Sequence, residues 1–319
     1  MTGMTRRDAL TGMGAMIGGL MAPGMAECAA NDVYLLSYFT DQDEGREGLK
    51  LARSDDGFAF TPLGGGRGFL TPEVGKDKLM RDPSLLQAPD GLWHLVWTSD
   101  WFGPVIGHAT SRDLMNWSPQ QTIPVMAGFA GVRNSWAPEM IWDAKARDFV
   151  IVWSSSIDGR YGATPGQRFE GLKLRPYCTR TRDFRTFAPT RLLFDPGFDT
   201  IDFTWLPLKE GGYRLVFKDE THDAEQRRWL LSCSAPSPTG PFGPVSKPFT
   251  KTMTEGPTAI RIGERYVVFY DVYEQHHFGA ASTTDFIHWR DETARVRFPA
   301  DARHGTVVRV PRAFADALR

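Results

Sequence analysis

Three carboxylates far apart in the chain carry the first chemical suggestion: Asp82 in Arg81-Asp82-Pro83, Asp202 in Ile201-Asp202, and Glu255 in Glu255-Gly256-Pro257. Acid–base hydrolysis of a glycosidic bond commonly uses two carboxyl groups, one activating water and one protonating the departing oxygen. A third carboxylate nearby supplies the asymmetry between them, because like charges in one site raise the pKa of one partner. Arg81, adjacent to Asp82, favours an ionised base, and Glu255 among other carboxylates suits the acid. Each residue alone also has a plain reading as a turn or loop residue. What sets them apart is that each opens a short apolar segment, as do Glu139 in Ala137-Pro138-Glu139 and His304 in Arg303-His304-Gly305.

Residues so distant meet only if a repeated element delivers them to one place. Five β-branched and aromatic runs qualify as strands: Tyr34–Phe39, Trp93–Thr98, Phe149–Ser154, Tyr213–Lys218 and Tyr266–Asp271. They recur at intervals of roughly 50–65 residues, which marks internal repetition. A turn signature of Ser/Thr-x-Asp followed by an aromatic residue comes after them, at Ser111-Arg112-Asp113 with Trp117, Thr181-Arg182-Asp183 with Phe187, and Thr283-Thr284-Asp285 with Trp289. The first copy reads Ser54-Asp55-Asp56-Gly57, and the fourth, Ser234 to Phe242, is degenerate. Five repeats of about four short strands predict an all-β, five-bladed β-propeller. The five titratable residues would then open the inner strands and converge at one mouth of the axis. The repeat phase makes Tyr34–Phe39 a second strand, so the missing inner strand is expected in residues 305–310, with the C-terminal strand completing the N-terminal blade. That closure removes two exposed edges.

The same motifs, with Asn134-Ser135-Trp136-Ala137-Pro138-Glu139, Thr254-Glu255-Gly256-Pro257-Thr258 and Arg303-His304-Gly305-Thr306-Val307, resemble glycoside hydrolase family 43 across residues 31–319. The resemblance implies inverting hydrolysis, mostly of α-L-arabinofuranosides and β-D-xylosides. It also implies Asp82 as general base, Asp202 as pKa modulator and orienter, and Glu255 as general acid. The subgroup resembled, through Lys78-Leu79-Met80-Arg81-Asp82-Pro83, has arabinofuranosidase-like and galactofuranosidase-like members. A terminal α-L-arabinofuranosyl group is the leading substrate, with xylosyl and β-D-galactofuranosyl groups as alternatives. A β-fructosidase-like enzyme is a rival, but its Asn-Asp-Pro-Asn-Gly-like motif does not occur between Asn31 and Gly68. A non-catalytic carbohydrate-binding propeller is the rival of another class.

Phe39, Trp101, Trp136 and Trp205 are candidate sugar-stacking residues, and Arg303 and Glu139 candidate substrate contacts, Glu139 with the plainer role of orienting a neighbour. His304 is a candidate ligand for a structural calcium ion or water at the propeller centre, as the resemblance implies; no cofactor is required. There is no His-Glu-x-x-His zinc motif and no Gly-x-Ser-x-Gly elbow. With 37 basic and 38 acidic residues, the chain has no excess of charge for nucleic acid or a membrane surface, and the expected partner is an oligo- or polysaccharide met by a monomer. Arg6-Arg7 before a Gly/Ala/Met-rich run makes residues 1–30 a Tat-type export signal, implying a periplasmic or secreted protein. Cys28 sits in a poor lipobox, and Cys178 and Cys233 read as buried apolar side chains.

Overall fold

The computed structural model describes residues 31–162, 172–222 and 227–318. The twin-arginine segment and Cys28 lie outside the described residues. Five antiparallel sheets follow one another along the chain. Blade one contains β1 (Asp32–Thr40), β2 (Lys50–Ser54) and β3 (Thr61–Pro62). Blade two contains β4 (Arg81–Gln87), β5 (Trp93–Thr98), β6 (Ile106–Ser111) and β7 (Gln121–Ile123). Blade three contains β8 (Trp136–Asp143), β9 (Asp148–Ser155), β10 (Arg175–Thr181) and β11 (Arg191–Leu192). Blade four has β12 (Thr200–Pro207), β13 (Tyr213–Asp219) and β14 (Leu230–Ala235), and blade five β15 (Glu255–Ile262), β16 (Arg265–Val272), β17 (His277–Thr283) and β18 (Arg290–Asp291). The last strand, β19 (Ala302–Pro311), returns to blade one and pairs with β1 from Val33↔Val310 to Tyr38↔Gly305, as the repeat phase predicts. The inner strands β19, β4, β8, β12 and β15 each pack on the next, and β15 packs on β19, so the ring is closed. The protein is a five-bladed β-propeller.

Side-chain alternation explains why the blades stack. Along β1, Val33 and Leu35 enter the core shared with blade two, while Tyr34, Leu36 and Tyr38 enter the core shared with blade five. Each second strand is largely buried on both faces, and this is why the five runs are mostly apolar rather than strictly alternating. Cys178 and Cys233 are free and buried in the core between blades three and four. A short helix, α1 (Arg312–Asp316), follows β19, and Ala315 and Leu318 pack into the core between blades one and two.

The Ser/Thr-x-Asp signature is the turn after the third strand. Asp56, Asp113, Asp183 and Asp285 each accept two backbone N–H bonds, as in Met115 N→Asp113 Oδ1 at 2.9 Å and Asn116 N→Asp113 Oδ1 at 2.7 Å. The residue after each Asp has positive φ: Gly57 80°, Leu114 58°, Phe184 53° and Phe286 60°. The carboxylate thus holds a left-handed residue in place by capping the amides beyond it. The degenerate fourth copy lacks that Asp, and among the described residues blade four has three strands rather than four.

Candidate active site

Every inner strand carries an irregularity near its N-terminal end, where the register to the second strand slips between Arg81 and Ser84, Trp136 and Glu139, Ile201 and Thr204, and Glu255 and Thr258, and at His304 on β19. At these bulges Asp82, Ala137, Asp202 and Gly256 take positive φ of 53°, 48°, 57° and 54°. A bulge re-aims side chains, and strain of this kind is held where surrounding structure over-determines it. Asp82, Asp202 and His304 are therefore equivalent positions, with Ala137 and Gly256 as the remaining two.

This alignment corrects the expectation that the five titratable residues share one repeat position. Glu255 precedes its bulge by one residue. Glu139 follows its bulge by two, level with Ser84, Thr204, Thr258 and Thr306. That level is a belt of hydroxyls around the axis: Thr258 Oγ1 accepts Val307 N–H at 2.9 Å, Ser84 Oγ accepts Met140 N–H at 3.2 Å, and Thr204 Oγ1 donates to Glu139 Oε1 at 3.0 Å. Glu139 belongs to this belt, and burial pushes its pKa up to about 7 despite Ser84, Thr204 and His304. It is not among the residues lining the mouth.

The mouth is a cavity of about 650 Å³, lined from all five blades, and Asp82, Asp202 and Glu255 all face it. Asp82 Oδ2 accepts from Thr98 Oγ1 at 2.8 Å, and Asp82 Oδ1 lies 3.2 Å from His304 Nδ1. Burial opposes the Asp82 charge, but the His304 hydrogen bond and charge, with Arg81 and Thr98, outweigh it and lower its pKa. His304 moves the opposite way: burial disfavours its cation, but Asp82, Asp202 and Glu139 push it up to about 9. Asp202 accepts Gly256 N–H at 2.9 Å. Burial, with the charges of Glu255 and Asp82, pushes Asp202 up to about 6 against His304 and Lys218. One carboxylate is thus driven toward ionisation and another away from it within one cavity. The side chain of Glu255 is 35% exposed against 8% for Asp202, so Glu255 is the one open to a departing group.

Several partners escaped the sequence reading. Lys218, buried at the end of β13, lies 2.9 Å from Glu255 Oε2 and 2.5 Å from Glu220 Oε2. Although burial works against its charge, Glu220, Glu255 and Asp202 raise its pKa well above the ordinary value. Asp271 stands opposite Glu255 in register; burial and the Glu255 charge push it up to about 7 against Arg303. Asp41 bridges Arg81 at 3.1 Å and Arg303 at 2.6 Å. A signal for two of these existed: Lys218 and Asp271 are charged residues that end mostly apolar runs.

Among the proposed sugar contacts, Phe39, Trp101, Trp136 and Arg303 line the cavity. The Arg81 guanidinium lies 4.6 Å from the Phe39 ring centroid and 4.8 Å from that of Trp101, so it occupies a face of each ring. Trp136 Nε1 is tied to Trp101 O at 2.8 Å. Arg303 also donates to Asp271 Oδ2 at 2.9 Å. Trp205 is elsewhere: it is buried in the core between blades three and four, its Nε1 bonded to Pro238 O at 3.1 Å, and it cannot stack on a sugar. The alternation of β12 turns it away from the axis. His304 Nδ1 faces Asp82 at 3.2 Å and Asp202 at 3.8 Å. Among the described residues no three His, Cys, Asp or Glu side chains are grouped to hold a metal ion. No described helix is long and apolar enough to cross a membrane.

No curated protein sequence matches this chain. Among solved structures, a thermostable family-43 glycoside hydrolase matches with TM-score 0.53 at 15% identity, over 66% of this chain and 71% of that one. An α-L-arabinofuranosidase from Lactobacillus brevis matches with TM-score 0.53 at 14% identity, over 67% and 72%. A xylan β-1,4-xylosidase from Bacillus halodurans C-125 matches with TM-score 0.52 at 14% identity, over 69% of this chain and 42% of that one. These likenesses establish a shared fold. Residues 30–316 match the family described as a probable glycosyl hydrolase domain, related to family 43. A propeller whose axial mouth gathers carboxylates of opposed protonation tendency is thereby placed by its sequence as well: the chain belongs to the family-43-related glycoside hydrolases.

Proposed function

We propose that this hydrolase removes terminal furanosyl residues, α-L-arabinofuranosyl first among them, or xylosyl residues, with inversion at the anomeric carbon. The observation that carries the reading is the opposed tuning of two equivalent bulge residues, Asp82 toward ionisation and Asp202 away from it, beside the more exposed Glu255. Asp82 takes a proton from water as the water oxygen bonds to the anomeric carbon. The bond to the leaving oxygen breaks with its electron pair, and Glu255 supplies that oxygen with a proton. Asp202 orients the site and, as a neighbouring carboxylate, modulates the proton affinity of the acid. Inversion needs room for water between base and sugar, about 6.5–9.5 Å between the two carboxyl groups. The Arg6-Arg7 segment is proposed to direct export, which a variant carrying Arg6→Lys and Arg7→Lys would abolish.

The test is a panel of aryl furanosides and pyranosides, followed by NMR of the first-formed anomer. Turnover with an inverted product supports the proposal. A retained anomer points to β-fructosidase-like chemistry, and binding without turnover on any glycoside points to a carbohydrate-binding propeller. Asp82→Asn is expected to lower the rate by about 10²–10⁴-fold on all substrates, and Glu255→Gln to hurt most where the leaving group is poor.

A further inference from the structure

Thr98 ends β5 opposite Arg81 and is buried. Its Oγ1 accepts the backbone N–H of Ala137 at 2.8 Å and donates to Asp82 Oδ2 at 2.8 Å. Ala137 is the bulge residue of the next blade and holds φ at 48°, a costly conformation for a residue with a Cβ. The same relation recurs two blades on, without an intermediary: the bulge amide of Gly256 in blade five donates directly to Asp202 Oδ2 in blade four at 2.9 Å. In both cases the left-handed bulge of one blade aims an amide at the bulge carboxylate of the blade before it.

We propose that Thr98 is a positioning residue that relays the Ala137 amide to Asp82, fixing the plane of the base and holding it as an acceptor. A hydroxyl has one proton. With Ala137 N–H on its acceptor side, Thr98 turns that proton to Asp82. Were Asp82 to carry a proton on Oδ2, Thr98 would have to accept it and leave its own hydrogen unpartnered in a buried site, which is unfavourable. The other charged groups facing Asp82 are His304 from β19, Arg81 from its own strand and Asp202 from β12. His304 secures Oδ1, so the two oxygens have separate donors. The relay leaves the remaining lone pairs of Asp82 for a water proton.

This inference rests on Asp82 acting as the base. The experiment compares pH profiles of kcat and kcat/KM on an aryl glycoside that the enzyme turns over, for the wild type, Thr98→Val, Thr98→Ser and Asp82→Asn. Thr98→Val is expected to move the acid limb to higher pH and to lower kcat about tenfold or more with KM little changed, since Asp82 is held less firmly as the base in the transition state. Thr98→Ser, which keeps the hydroxyl, should recover most of both. If Thr98→Val does not fold, as judged by thermal unfolding, Thr98→Ala gives the same readout. A folded Thr98→Val or Thr98→Ala enzyme with an unmoved acid limb overturns the relay, while an inactive Asp82→Asn keeps the base. A wild-type rate in Asp82→Asn removes the base assignment itself.

Discussion

His304 Nδ1 stands 3.2 Å from Asp82 Oδ1 and 3.8 Å from Asp202 Oδ1, so one imidazole spans two carboxylates that come from non-adjacent blades. The histidine is supplied by β19, the strand that also closes the ring. The strand that closes the ring thus also completes the site.

That relationship has a pH signature. The folded pKa of His304 is about 9, above its ordinary 6.5. Its contribution to stability is therefore fully present below about pH 6.5 and is lost as pH rises through 9. Asp82, whose pKa is lowered, contributes above its ordinary 3.8 and loses that contribution as pH falls below it. Thermal unfolding followed between pH 6.5 and 10 should show a falling midpoint in the wild type and a flatter curve in His304→Gln. Equal slopes would mean that the ion pair does not contribute.

Gly256 cannot accept a side chain. A Cβ there would lie 2.7 Å from both Cβ and Cγ of His304, and its φ is 54°. Gly263 has a similar φ of 58° but open space around it. Gly256→Ala is expected to displace His304, lowering activity more than tenfold and stability by about 1–3 kcal/mol. Gly263→Ala should cost about 1 kcal/mol and leave activity in place. Similar activities in the two variants would refute the steric argument.

Lys218 holds Glu255 and Glu220 together while itself only 3% exposed. Lys218→Met keeps much of the volume and removes the charge, so that Glu220 loses its buried lysine and keeps His222 at 3.0 Å. A loss of about 3–5 kcal/mol is expected, as for breaking a buried ion pair. Adding Glu220→Gln should return part of it. Denaturant titration of the single and double variants measures the coupling, and strict additivity would deny it.

A pair of buried histidines works in the acid range. His94 Nδ1 and His108 Nε2 are 3.2 Å apart in the core between blades two and three, and Gln121 Nε2 lies 2.9 Å from His108 Nδ1. Burial lowers their pKa values to about 4 and about 3, with His94 adding to the effect on His108. The unfolded chain takes up these protons near pH 6.5 and the folded one does not, so stability falls as pH drops from 6.5 toward 4. The slope, up to about 1.4 kcal/mol per pH unit for each proton, should be smaller in His94→Gln.

The architecture was legible in the sequence because its signals are local. Two-sided burial makes each second strand an apolar run, and a Ser/Thr-x-Asp turn caps its own amides, so Trp93–Thr98 or Thr181-Arg182-Asp183 can be recognised without knowing any partner. Repetition turned those signals into a ring, and the repeat phase assigned residues 305–310 to blade one. The gathering of Asp82, Asp202 and His304 at one mouth follows from the same phase, with Glu255 one residue ahead of it. Trp205 was not legible, because an aromatic residue on a strand looks alike whether it faces a sugar or a core.

Register and charge were left to the tertiary structure. A bulge is visible only against its partner strand, so the equivalence of Asp82, Ala137, Asp202, Gly256 and His304, and the displacement of Glu139 into the hydroxyl belt, required the pairing itself. The proton affinities depend on burial and on groups brought from other blades. Asp82 and Asp202 share a bulge position and an αL backbone, yet one is stabilised as an anion by His304 and the other is made reluctant to ionise by burial and by Glu255. The sequence determined which groups meet at the axis; only the packed ring decided which of them keeps its proton, because electrostatic energy depends on distances and solvent exclusion that no local stretch of chain contains.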